Sequence, residues 1–254
     1  MRDYFCDLHI HSCLSPCGDD EMTPANIVGM ALVNGLNVVA LTDHNTSKNC
    51  PAFFAQARMH GIVPIAGMEL TTAEDIHVVC LFRELADAMR FDMFVDEHKI
   101  QFKNKAEIFG HQYIMDENDE IAGEEEYLLI NATDLTIEDA FREVISRGGV
   151  CYPAHIDRTS NGMVAVLGTF PEEPRFTAYE LNSAESLAQY EERFPKIRSM
   201  PRAVSSDAHY LWDISEAAFS IRVDDEPYSS SLVRNRIIDY LLGKDHGKEC
   251  ESDG

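Results

Sequence analysis

Residues 4–44 read YFCDLHIHSCLSPCGDDEMTPANIVGMALVNGLNVVALTDH, two apolar runs on either side of a helical pattern. YFCDLHI is an apolar, strand-like run. The segment 23–35, TPANIVGMALVNG, carries helix punctuation at both ends, with Thr23 placed to cap it, Pro24 in its first turn and Gly35 beyond its last. NVVAL at 37–41 is again a buried strand, so the first unit is strand, helix, strand. The same rhythm continues: PAFFAQARMHG (51–61) reads as a helix between Pro51 and Gly61, and IVPIAGMEL (62–70) and DIHVVCLF (75–82) read as strands.

The segment 84–110 reads as one long helix or two shorter ones. After it come a helix at 136–149, strands GVCYPAHI (149–156) and FTAYELN (176–182), a helix at 183–194, the strand RAVSSDAH (202–209) and a closing helix at 231–243. Strands alternating with helices over this length imply parallel strands, either closed into a barrel or doubly wound. No glycine-rich nucleotide-cradling loop follows the first strand, which favours the barrel. The acidic run 112–126, QYIMDENDEIAGEEE, is expected on the surface as a hairpin or loop. One domain over 1–242 is expected, interrupted by an insertion at about 84–135 and followed by a polar tail, 243–254, that frays.

Chemistry gathers at the expected strand ends. His9 and His11 stand two apart, so both point to one face. Asp43 and His44 follow NVVAL, Glu69 closes the third strand, His155 follows GVCYP, and Asp207 with His209 follows RAVSS. The C-terminal ends of barrel strands form the face on which active sites are built. Imidazoles and carboxylates delivered to one rim suit zinc, manganese or iron, and there are more of them than one tetrahedral ion can use. His60, His98, His111 and His246 read as capping or solvated histidines. Cys13 and Cys17 lie beside the site, Cys17 being the one expected nearer the metals.

In order, DLHIHS, LTDHN, GMEL, the histidine of DIHVV, PAH and SDAH, over residues 7–209, resemble the PHP (polymerase and histidinol phosphatase) domain family. The resemblance implies a distorted (β/α)7 TIM-like barrel with three divalent ions and phosphoester hydrolysis. It implies that His9, His11, Glu69 and Asp207 hold the first ion, that Glu69 bridges to a second with His77 and His155, and that a third takes His44, His209 and a loop aspartate. Counting back from Thr23 and Pro24 puts that aspartate at Asp19, with Asp20 as the rival. By spacing alone His77, early in its strand, is equally a core histidine. Arg158 in PAHIDR resembles a phosphate-binding arginine of some family members; the alternative is a surface pair with Asp157 or Glu173.

The expected reaction is attack of an ion-activated hydroxide on a small phosphomonoester, such as a nucleotide 3′,5′-bisphosphate or a short oligonucleotide end. Arg158 would hold the phosphate, and Asp207 or His209 would move the proton. A histidinol-phosphate-type phosphatase, an amidohydrolase-like C–N hydrolase and an accessory metal-binding module are the alternatives. The balance of 21 basic against 44 acidic residues, a net charge of −23, leads to the expectation that long nucleic acids and anionic membranes are not partners. Seven cysteines without CxxC spacing, and no leader or apolar span, fit a cytoplasmic protein with reduced thiols.

Overall fold

The computed structural model describes residues 1–244 and 247–249; His246 and Cys250 lie outside the described residues, as does most of the tail expected to fray. The elements are β1 (Arg2–Ile10), α1 (Pro24–Val33), β2 (Val38–Leu41), α2 (Cys50–His60), β3 (Val63–Thr71), β4 (His77–Phe82), α3 (Leu85–Asp96), α4 (Ala106–Phe109), β5 (Tyr113–Met115), β6 (Ile121–Glu124), α5 (Ile137–Ser146), β7 (Val150–Pro153), α6 (Met163–Leu167), β8 (Tyr179–Leu181), α7 (Leu187–Arg193), β9 (Arg202–Val204), β10 (Ser220–Val223), α8 (Ser230–Leu241) and β11 (Gly247–Glu249).

Local sequence explains the first unit. Thr23 accepts a hydrogen bond from the Asn26 N–H, Pro24 opens α1, and Gly35 takes φ 77°, a left-handed conformation that ends the helix without a Cβ clash. Pro51 and Gly61 frame α2 in the same way. The 84–110 segment resolves into α3 and the single turn α4, and the acidic run becomes the β5–β6 hairpin.

Strands β11-β10-β1-β2-β3-β4-β7 form one curled sheet, and β8 and β9 form a parallel pair. That pair ties to both sides of the sheet: the Ile156 N–H donates to Glu180 O at 3.0 Å, and the Asp207 N–H donates to His9 O at 3.0 Å. The result is a distorted, TIM-like α/β barrel, but not a regular alternation. β3 runs into β4 through Thr72–Ile76, too short for a crossover helix, so the two strands are antiparallel. β4 and β7 are antiparallel as well, which returns β7 to the direction of β1, β2 and β3.

Strands β2, β3, β4 and β7 alternate their apolar side chains between two cores. Val38, Ala40, Val63, Ile65, Val79, Leu81, Val150 and Tyr152 pack with Val233, Ile237, Ile238 and Leu241 of α8. Val39, Leu41, Met68, Cys80 and Cys151 pack on the other face with Ile27, Phe53, Phe91 and Val144 of the surrounding helices. Burial on both faces is what makes these strands read as unbroken apolar runs. Two buried asparagines hold the segment from β5 to Asn131 against the loop after β2. Asn45 donates to Leu129 O and Asn131 O, and Asn49 donates to Tyr113 O while accepting from the Met115 N–H.

Candidate metal centre

His9 and His11 leave β1 at its C-terminal end, where a register irregularity between Asp7 and Ile10 redirects the strand. Glu69 lies near the end of β3, and His44 follows β2, bridged to Glu69 through the main chain. His77 is the first residue of β4. Because β4 runs against β3, its beginning sits at the same rim as the other strands' ends, and His77 pairs with Thr71. The even choice between core and rim that spacing left open is settled by strand direction. His155 and Asp207 follow β7 and β9 with φ of 25° and 54°, a left-handed backbone costing about 1–3 kcal/mol each, held here by the packed rim.

These side chains converge. His9 Nε2 and His11 Nε2 lie 3.2 Å apart; they are 3.4 and 3.2 Å from Glu69 Oε2, and 3.4 and 3.2 Å from Asp207 Oδ1. A tetrahedron with ligand bonds of about 2.0–2.1 Å has edges of about 3.3–3.4 Å, which these five separations approach, and the four residues form one ligand group. Glu69 turns Oε1 towards His77 Nδ1 (2.7 Å) and His155 Nε2 (3.0 Å), and Oε2 towards His44 Nδ1 (3.1 Å). His44 Nδ1, His77 Nδ1 and Glu69 Oε2 are buried without a satisfied hydrogen bond, although they lie close together. Unsatisfied acceptors gathered this closely, with no donor between them, fit bound cations and fit a hydrogen-bonded core poorly. His44 and His209 form a further group with His11.

An outer layer fixes the ring orientations. Glu180 Oε1 accepts from His9 Nδ1 at 2.8 Å and from the His155 N–H at 3.1 Å. His11 Nδ1 meets Ser15 Oγ at 2.9 Å, and Ser15 donates to Asp43 Oδ1 at 2.7 Å, so His11 carries its proton on Nδ1 and presents Nε2. Asp43 also accepts from the Ser12 N–H and hydroxyl. Asp7 accepts the Ser206 and Ser215 N–H groups and so holds the loop that bears Asp207.

Electrostatics follow. Burial would depress the His9 imidazole, but the charges of Glu180 and Glu69 outweigh it and raise it to about 10. Burial and the neighbouring His11 lower His209 to about 2 and hold His44 well below its usual value. Glu69 is buried, yet His77, His9 and His44 keep it ionised, well below the ordinary carboxylate range.

Arg158 is 44% exposed and pairs closely with Asp207 Oδ2. The surface pairs considered for it are taken elsewhere: Asp157 accepts the Asn182 and Ser183 N–H groups, and Glu173 pairs with Arg175. Arg158, Ser160, Asn161, Asp207 and His209 border a cavity of about 120 Å³ whose floor is His44, Glu69, His77 and His155. Asp19 stands apart. Its N–H donates to His209 O, but its carboxylate accepts the Glu21 N–H, and neither Asp19 nor Asp20 joins a ligand group among the described residues. Cys13 is buried against Ala52 and Met115, while the charges of Glu69 and Arg158 act on the Cys17 thiol, the nearer of the two to the rim. Burial raises the Cys13 thiol to about 12, whereas Cys17 is exposed. His98 and His111 pair with Asp134 and Glu124, away from the centre. Sequence reasoning missed Glu180. Its one signal was an acidic residue inside the buried strand FTAYELN.

The PHP domain pattern matches residues 7–170. Over 78 residues the chain is 37% identical to a 5′-3′ exoribonuclease of Haemophilus influenzae, aligning 30% of this chain and 27% of that protein. The lesion-specific Endonuclease Q of Pyrococcus furiosus shares the fold with a TM-score of 0.66 and 17% identity, covering 98% of this chain and 58% of that one. Endonuclease Q bound to a 27-mer duplex with an abasic lesion at its active site gives 0.63 and 18%, covering 97% and 58%. The chain thus spans about a quarter of the exoribonuclease and just over half of Endonuclease Q.

These likenesses correct the exclusion of long nucleic acid drawn from composition. The fold carries a duplex substrate in Endonuclease Q, and the relative is named for acting on RNA. Net charge sums the whole surface, whereas a phosphate meets only the rim, where a part-exposed Arg158 stands and where bound cations would add positive charge. Among the described residues no helix is long and apolar enough to cross a membrane, and the six cysteines there are free.

Proposed function

Because the chain belongs to the PHP domain family, we propose that it is a metal-dependent phosphoesterase that cleaves a phosphoester of a nucleic-acid strand. The observation that carries this is the buried group of His9, His11, Glu69 and Asp207, in which the two imidazoles lie 3.2–3.4 Å from each other and from both carboxylates, beside a cavity bordered by Arg158. The ions would be held by these four residues, by His77 and His155 about Glu69, and by His44 and His209, with Asp19 closest in sequence to supply a loop ligand. Bound there, divalent cations lower the pKa of a coordinated water to about 7 and neutralise charge growing on the phosphoryl oxygens.

The protein's own groups do the rest. Arg158 has planar donors suited to a non-bridging phosphoryl oxygen, and it is the exposed cation at the cavity mouth. Asp207 presents Oδ1 to the two β1 histidines and Oδ2 to Arg158, so a phosphate that draws Arg158 away frees Oδ2 to accept a proton. His209 donates from Nδ1 to Asp207 O, which leaves its Nε2 lone pair to face an ion with His11 and His44. A cavity of about 120 Å³ admits a phosphoryl group and little more; whole small-molecule ligands occupy about 300–1,000 Å³. The remainder of the substrate therefore lies along the rim.

The test is cleavage of a single-stranded oligonucleotide in manganese. Wild-type protein is expected to cleave it and His9→Ala and Asp207→Ala to lose at least about 100-fold in rate. Hydrolysis of histidinol phosphate with the oligonucleotide untouched, or full activity in both variants, would overturn the proposal.

A further inference from the structure

Immediately after His209 the chain exposes two aromatic rings. Tyr210 is 39% and Trp212 75% exposed, and their rings stack with centroids 4.9 Å apart and planes 16° from parallel. Trp212 is the only tryptophan in the chain. A turn closed by the Asp213 N–H donating to Tyr210 O holds the pair, and the segment beyond is anchored to the end of α1 by Asn34 donating to Ile214 O. A tryptophan stacked on one face and three-quarters exposed has its other face open to solvent. Three residues of chain span at most about 11 Å between Cα atoms, so the backbone bearing the indole lies within about three nucleotide spacings of that of His209.

We propose that Tyr210 and Trp212 form a stacking platform for a nucleobase of the substrate strand next to the phosphate at the metal centre. The proposal rests on the phosphoesterase reading above and specifies where its substrate's base is bound. The cavity holds a phosphoryl group but no base, so a base beside the scissile phosphate must lie outside it, and the exposed aromatic pair follows directly on His209, which lines that cavity. Stacking tolerates any base because each has a π-face, and a rigid, pre-stacked pair loses little freedom on binding. The acidic exterior places no bar on this contact, since it is made to the base and not to the backbone.

The sole tryptophan supplies a direct readout. Manganese-loaded protein is titrated with a single-stranded hexanucleotide, followed by indole fluorescence and, through a dye on the oligonucleotide, by anisotropy. The expected result is fluorescence quenching in step with binding, no quenching by inorganic phosphate or deoxyribose 5-phosphate, and about tenfold weaker binding in Trp212→Ala with most of it restored in Trp212→Phe. In turnover, Trp212→Ala is expected to raise KM about tenfold with kcat little changed. Binding without quenching, or Trp212→Ala binding within twofold of wild type, would overturn the platform while leaving the phosphoesterase reading intact. If no oligonucleotide is cleaved, the phosphoesterase reading fails on its own, and the titration still decides the platform by the same two criteria.

Discussion

Glu180 Oε1 lies 2.8 Å from His9 Nδ1, and both side chains are completely shielded from solvent. The carboxylate fixes the tautomer that presents His9 Nε2 to the cage, and it holds the His155 main chain with the same oxygen. Glu180→Ala is expected to weaken zinc or manganese binding about 10–100-fold by competition with a chelating dye, and Glu180→Gln, which keeps an acceptor, by less. Wild-type affinity in Glu180→Ala would show that His9 needs no such support.

Metal binding should depend on pH chiefly through His9. Its raised value of about 10 means that the metal-free protein holds a proton there at neutrality, contributing stability that is full below about pH 6.5 and lost as pH climbs towards 10. An ion must displace that proton. His44 and His209 are depressed and Glu69 is ionised, so they release none. Apparent affinity is expected to rise at least about tenfold per pH unit between about pH 6.5 and 8, with at least roughly one proton released into a weakly buffered indicator solution. A flat profile would contradict the assignment.

Arg158 neutralises Asp207 in the metal-free protein, where a cation would otherwise do so. Arg158→Ala is therefore expected to raise KM for the oligonucleotide about 10-fold or more while metal binding stays the same or tightens. An unchanged KM with weakened metal binding would make Arg158 a support of the cage and not a contact to phosphate.

Asp43 accepts three buried hydrogen bonds, from the Ser12 N–H, the Ser12 hydroxyl and the Ser15 hydroxyl, each at 2.7 Å. Asp43→Ala strands these donors and frees His11, at a cost of roughly 3 kcal/mol, which for a chain of this size lowers the unfolding midpoint by roughly 6–12 °C. A midpoint within about 2 °C of wild type in calorimetry would show that water takes over the network.

What the sequence made legible was local or repeated. Thr23, Pro24 and Gly35 act within one helix, so their spacing announced α1, and the pair His9 and His11 announced its own shared face. What escaped was set by pairing between distant segments. β10 pairs with β1 across more than 200 residues and lies in an unremarkable stretch, FSIRVDD, so nothing nearby marked it as a strand. The direction of β4 was the larger miss, because the five-residue connection 72–76 already required an antiparallel turn, and with it His77 at the rim. Glu180 looked like one more charge in an acidic chain; only the fold brings it beneath His9. In the loop 12–22 the aspartate could be reached only by counting back from Thr23 and Pro24, and Asp19 lands there with its carboxylate on the Glu21 N–H instead of in a ligand group.

Dependence of cleavage on bound ions is read from the rate of oligonucleotide hydrolysis before and after the protein is stripped with a chelator and manganese is returned. The rate is expected to fall at least about 100-fold on stripping and to recover when the ion is restored. Undiminished cleavage by the stripped protein would show that the histidine and carboxylate cluster holds no catalytic metal.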